Sequence, residues 1–373
     1  MGDHKEINFT IGWNGVFTFF VLIMWSRIKR SKNLLDTFYS LNANRNAQSA
    51  GNLLGSSETK CESAYDLFKK NFLFYNKKNF IAPYGQNDNE WLSWFIGFVE
   101  GDGAILEYKG KCYFVVTQKD EKILYEIHQT LGMGLVKHFY DNKGVKKYSR
   151  LVLSEHKGLF LLYLLFNGNL ILQSRVEQIG RWYGALSSAP KFDYSLFCIK
   201  CIPNQVKVGR EPSLNDSWLS GFSDAEGCFS VKIESVHNKT YHYVKLLFIL
   251  DHKHEEIALN KIALLFNEKT KAVIRTSNKN INLDHTKPNN MFRLTFSCND
   301  KKKAISSKIV NYFKVHKMKT SKKESFSVWT KILDIVIDKQ PLSEETLKTV
   351  RKLRHNMNFF TIENNPTGHA RKS

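Results

Sequence analysis

Acidic residues are scarce for the number of bases. Among 373 residues, 55 Lys and Arg stand against 35 Asp and Glu, a formal charge of +20. That charge favours a polyanionic partner, nucleic acid before anionic membrane, over a merely solubilising surface. No disulfide framework is legible in the six scattered cysteines, Cys61, Cys112, Cys198, Cys201, Cys228 and Cys298, which fits a reducing compartment. The one CxxC, Cys198 to Cys201, lacks a second pair or histidines at ligand spacing, so a zinc site is not expected there. No GxxxxGK[ST] phosphate loop occurs, and no Ser-His-Asp or Cys-His arrangement stands out. Long apolar runs are also missing. The longest, "IGWNGVFTFFVLIMW" (Ile11 to Trp25), is short and interrupted for a membrane span and lacks the basic n-region of a secretory signal. A membrane anchor, an atypical targeting segment and residue from an upstream reading frame all stay open for it.

The hydrophobic fraction of 42% is enough to fill real cores, and the length suits two or three domains. Residues 1–85 read as an extension or arm, with "SLNANRNAQSAGNLLGSSETK" as its polar linker. From Asn89 the pattern is regular. "NEWLSWFIGFVEG" has helical spacing after an asparagine that can cap it. "AILEYKGKCYFVVTQ" reads as a hairpin turning at Lys-Gly, and "DEKILYEIHQTLG" as an amphipathic helix ending at Gly132. A second hairpin, turning at Asn142 to Gly144, and two helices follow. The same order then recurs from "DSWLSGFSDAEG" onward, after a joint at Val208 to Asp216. The sequence therefore predicts an α+β chain with two similar halves, residues 86–207 and 208–373, behind the extension.

Each half opens with the same unusual helix ending. Gly97 and Gly101, like Gly221 and Ala225, lie four apart on one helix face, where two backbones can approach closely. Each helix stops at a glycine, Gly103 or Gly227, suited to a left-handed termination. The acid before it, Asp102 or Glu226, sits at a helix C-terminus, where a carboxylate is unfavourable and a divalent cation would relieve it. Two such helices side by side would bring together paired hard-oxygen ligands of the kind phosphodiester hydrolysis uses.

"FIGFVEGDG" and "LSGFSDAEG" resemble the two motifs of a monomeric LAGLIDADG homing endonuclease of the organellar, intron-encoded type. The resemblance runs from about Asn89 to Asn358. It is supported by "FVVTQKDEKILYEIHQTLGMG", "FNGNLIL", "PSLNDSWLSGF" and "LSEETLKTVRKLRHNMN", and by "SAGNLLGSSET" ahead of the first motif. It implies two αββαββα halves forming a saddle, a monomer whose sheets lie in the major groove of a long asymmetric DNA site. Both strands would be hydrolysed with water as nucleophile, leaving staggered ends.

The resemblance also implies residue roles. Asp102 and Glu226 would bind catalytic Mg2+, or another divalent ion such as Mn2+ or, in a non-cleaving complex, Ca2+. The carbonyls of Gly101 and Ala225 would add metal contacts, and Glu100 and Asp224 would be structural. Gln118 would order water, with His252 standing in its place in the second half. A lysine is expected near the cut: Lys319 is the best match and Lys322 the runner-up. Aligning Trp182 with Trp329 sets Leu172 opposite Lys319, so the first half lacks its copy, for which Lys119 or Lys122 could compensate. For DNA contact the candidates are Lys119, Lys146, Lys147, Arg150, Lys232, Arg275 and Arg293. Two other functions remain open. One is an RNA maturase of the same fold that binds its host intron RNA; the other is a membrane-tethered protein. Lys and Asn outnumber Arg, the mark of an AT-rich genome, so the expected setting is an organelle, the mitochondrion before the chloroplast.

Overall fold

The computed structural model describes residues 64–188, 206–235, 242–266, 272–274, 291–298, 303–337 and 342–363. All of these lie within one compact unit, Cys61–Ser373. The Ile11 to Trp25 stretch, the Cys198 to Cys201 motif and Arg275 lie outside the described residues. Among the described residues no helix is long and apolar enough to cross a membrane.

The first half runs α1 (Ala64–Asn76), α2 (Asp88–Asp102), β1 (Gly103–Tyr108), β2 (Lys111–Gln118), α3 (Glu121–Leu131), β3 (Leu135–Tyr140), β4 (Lys146–Leu153), α4 (His156–Phe166) and α5 (Gln173–Ser187). The second repeats the scheme with α6 (Trp218–Glu226), β5 (Gly227–Ser235), β6 (His242–Lys253), α7 (Glu256–Leu265), β7 (Val273–Ile274), β8 (Met291–Cys298), α8 (Lys303–Val315) and α9 (Lys322–Val336), and ends in α10 (Glu344–Glu363). Each half builds a four-stranded antiparallel sheet, in the order β1-β2-β4-β3 and β5-β6-β8-β7. The fold is thus α+β with two like halves.

Local chemistry explains the element boundaries. The cap of α2 is Asn87, two residues before Asn89, and its side chain accepts from the amides of Asn89 and Glu90. The β1–β2 hairpin turns on Lys109 and Gly110, at φ 50° and 74° between the paired Tyr108 and Lys111. This two-residue turn has the primed geometry that matches strand twist. Helix α3 is capped by Asp120 and ends at Gly132 in the left-handed conformation. Alternation sends Ile105, Phe114, Val116, Leu151 and Leu153 inward, and Val231, Leu246, Phe248, Leu294 and Phe296 do the same in the second half.

Two features depart from the sequence reading. Helix α1 falls in the span read as an arm, yet Phe68 and Phe72 are fully buried and pack with Phe80, which in turn meets Trp91 of α2. At least the end of that span therefore belongs to the core. Gly103 and Gly227 do not take the left-handed termination; their φ/ψ are −80°/153° and −76°/148°. The chain passes straight from helix into strand there. Glycine is needed for space, because a Cβ at either position would lie 2.6 Å from the carbonyl oxygen of Val99 or Ser223.

Candidate active site at the paired helix ends

Helices α2 and α6 pack backbone to backbone. A Cβ on Gly97 would lie 2.0 Å from the Trp218 carbonyl oxygen, and one on Gly221 would lie 1.9 Å from that of Trp94. At the far end a Cβ on Gly101 would fall 2.3 Å from the Ala225 Cβ and 3.1 Å from the Glu226 Cγ. The interface accepts one methyl at that level, and Ala225 supplies it.

Cross-interface hydrogen bonds fix the pair. The buried Trp94 indole donates to Asp224 Oδ2 at 2.8 Å, and the Trp218 indole donates to Glu100 Oε2 at 2.5 Å. Each carboxylate also binds the segment that leads into the helix behind it. Glu100 accepts from the amides of Ile171 and Leu172, ahead of α5. Asp224 accepts from the amides of Lys319 and Thr320 and from the Thr320 hydroxyl, ahead of α9. Burial raises the Glu100 carboxyl to about 7 against these donors, and it raises that of Asp224. These two acids have structural partners on every side.

The next acids, Asp102 and Glu226, are half-buried where the two helices end. Burial raises both; for Glu226 the nearby Asp102 charge adds to it, bringing the carboxyl to about 7. Two basic side chains oppose this. Lys322, first residue of α9, donates Nζ to the carbonyls of Ala225 at 2.6 Å and Ser223 at 3.2 Å. Arg175 of α5 donates Nε to the Glu100 carbonyl at 2.9 Å and Nη2 to that of Gly101 at 3.3 Å. Both lie against the helix C-termini, where a cation is favoured, and both act electrostatically on Asp102 and Glu226.

Gln118, at the end of β2, donates to Asp102 Oδ2 at 2.6 Å. His252 ends the matching stretch of β6 and packs against Phe222. Burial, then the Arg175 charge, lowers its imidazole to about 4, so it is neutral at physiological pH.

The structure brings together Asp102, Glu226, Gly101, Ala225 and Gln118, and it corrects the lysine. Lys319 does not reach the acids: its Nζ bonds Gln86 Oε1 at 2.5 Å, lies 3.7 Å from Glu126 and sits over the Trp94 ring. With its backbone amide tied to Asp224, its side chain turns away and leaves Lys322 facing the motif end. The first half is not without a copy. Lys119 and Lys122 are exposed beyond β2, and Arg175 occupies the position equivalent to Lys322, against the carbonyls of Glu100 and Gly101. The Trp182–Trp329 alignment already sets Arg175 opposite Lys322, but a search restricted to lysine passes over it. The carbonyls of Gly101 and Ala225 accept from these two cations.

A hard divalent cation fits the donor set, because Asp102 and Glu226 are oxygen ligands whose mutual repulsion a cation would relieve. Among the described residues no cluster of three or more His, Cys, Asp or Glu could hold a metal.

The other basic candidates are spread over the sheets. Lys146 pairs with Glu121 at 2.6 Å, while Lys147 and Lys232 are exposed. Arg150 and Arg293 sit on the faces opposite the core, on β4 and β8.

The LAGLIDADG endonuclease family model matches residues 219–333, from α6 to α9. A probable intron-encoded endonuclease 4 of Neurospora crassa is 31% identical over 272 residues, 72% of this chain and 44% of that protein. The chain thus spans less than half the length of that relative. A cox1 intron-2 protein of Schizosaccharomyces pombe is 24% identical over 308 residues, covering 82% of this chain and 83% of that one. Two solved structures share the fold at TM-score 0.52 and cover 72% of this chain. The LAGLIDADG meganuclease I-AabMI bound to uncleaved DNA is 20% identical and 99% covered. The LAGLIDADG homing endonuclease I-SmaMI bound to cleaved DNA is 18% identical and 97% covered.

Proposed function

The chain belongs to the LAGLIDADG endonuclease family, and from that premise we propose that it is a site-specific, divalent-metal-dependent DNA endonuclease. It cuts both strands of a long asymmetric duplex as a monomer, with residues 86–207 and 208–373 as its halves, and leaves staggered ends. The observation that carries this is the pairing of Asp102 and Glu226 at two interlocked helix ends, each backed by a basic side chain from the other end of its own half.

Asp102 and Glu226 would hold the divalent cations, Mg2+ by this reading, which supply Lewis acidity at the scissile phosphates. Gln118 holds Asp102 in place and, with its carbonyl oxygen, can orient a water. Lys322 and Arg175 stabilise negative charge that grows on the phosphate oxygens, a role worth several kcal/mol for fixed donors in a water-poor site. The +20 charge supplies affinity for the backbone. A mitochondrial setting is supported by the S. pombe relative, which is named for a cox1 intron. The maturase reading, with host intron RNA as partner, is not favoured: the N. crassa relative is named as a probable intron-encoded endonuclease, and both acids are present. Cleavage of intronless host-gene DNA with Mg2+ tests the proposal, with chelator as the control.

A further inference from the structure

Gln118 and His252 are each preceded by a residue whose side chain holds an arginine on the neighbouring strand. Thr117 pairs in register with Arg150, and Asp251 with Arg293. The Arg150 Nε donates to Thr117 Oγ1 at 3.2 Å. Arg293 donates Nε and Nη2 to the two oxygens of Asp251, each at 2.6 Å. Both arginines lie on inner strands of their sheets, on the face opposite the buried Leu151 and Leu294.

Each buttress takes the guanidinium from its Nε side and leaves an outer edge of N–H donors. The Arg150 guanidinium also lies over the stacked rings of Phe139 and Tyr148, at 5.0 and 4.9 Å from their centroids. A planar, fixed fork of this kind matches the O6 and N7 acceptors that guanine shows in the major groove. A phosphate is the poorer match. The Arg293–Asp251 pair is close to neutral and so gains little from a phosphate, and with the sheets laid in the major groove, as the nuclease reading has it, inner-strand positions would face the groove floor rather than the flanking backbones.

On the nuclease reading, we infer that Arg150 and Arg293 are a matched pair of guanine readers, one per sheet, held by buttresses of different chemistry. The target then carries two guanines at positions related by the pseudo-two-fold of the protein, on opposite strands, within a site otherwise free to be asymmetric. Thr117 and Asp251 adjoin Gln118 and His252, so these base pairs lie toward the centre of the site, close to the cuts. Asp251 is a positioning residue: its two hydrogen bonds fix the orientation of one fork.

The experiment is selection of bound duplexes from a randomised DNA library, in Ca2+, by the full chain and by Arg150→Lys, Arg150→Ala, Arg293→Lys and Asp251→Asn, each first shown to be folded by circular dichroism. The wild type should enrich one sequence containing both guanines. Arg150→Lys should lose preference for one of them by about 10- to 100-fold, the range for a lost bidentate pair, and leave the other intact. Arg293→Lys should do the reverse, and Asp251→Asn should weaken the same position as Arg293→Lys. Unchanged sequence profiles in the Arg150 and Arg293 variants, or a loss spread evenly over all positions, would overturn the inference alone. A wild type that enriches no sequence would overturn the nuclease reading and the inference with it.

Discussion

Arg175 and Lys322 are structural equivalents: each enters from the helix behind its own motif and donates to the carbonyls at that motif's end, Arg175 to Glu100 and Gly101, Lys322 to Ser223 and Ala225. The two halves of the site therefore carry different cations for one task. An arginine stays protonated in any site, whereas burial lowers the Lys322 ammonium against the pull of Asp102, Asp224 and Glu226.

Lys322→Met is expected to slow single-turnover cleavage by about 10²- to 10³-fold, the usual loss for one fixed donor to developing charge, with DNA affinity little changed. Arg175→Met should impair cleavage comparably, and Arg175→Lys should retain most of it. Lys319→Met should cut near the wild-type rate, because that side chain lies against Gln86 and Glu126. Quench-flow rates that rank Lys319→Met below Lys322→Met would reverse the assignment.

The motif helices tolerate no added atoms at their crossing. Gly97→Ala and Gly221→Ala would each press a methyl onto a backbone oxygen, at 2.0 and 1.9 Å. Each should destabilise by about 1–3 kcal/mol or more, since neither backbone can move without its partner. Gly184→Ala, in α5 with nothing within 4 Å of its Cβ, should leave the melting temperature unchanged or slightly raised. Equal melting temperatures in all three variants would contradict the packing.

His252 links stability to pH. Its folded-state value is about 4 against an ordinary 6.5, through burial and then the Arg175 charge. Between those values the unfolded chain binds a proton that the folded chain does not, so this contribution is present above pH 6.5 and lost as pH falls toward 4. In His252→Gln, which copies the residue of the first half, the drop in melting temperature from pH 7.5 to pH 5 should be smaller. Identical drops in both proteins would show that the imidazole carries no such linkage.

The repeat, the two hairpins and the motif helices were legible because their signals are local: glycine spacing, alternation, and turn residues such as Lys109 and Gly110. The burial of α1 was not, because Phe68 and Phe72 sit on a short helix behind a polar stretch and only tertiary packing with Phe80 and Trp91 reveals their partners. The conformation of Gly103 depends on the strand that follows it. Lys322 displaced Lys319 because two hydrogen bonds to Asp224 decide which way residues 319 and 320 face, and no spacing rule contains that contact. Arg175 was within reach, since the tryptophan alignment names it directly.

Asp102 and Glu226 are the centre of the account, and separating binding from cutting in their variants tests it most directly. Double-strand cleavage of the intronless target in Mg2+ should be abolished in Asp102→Asn and, separately, in Glu226→Gln. Equilibrium binding of the same duplex in Ca2+ should persist in both variants within a few-fold of the wild type. Cleavage at the wild-type rate in either variant would contradict the account.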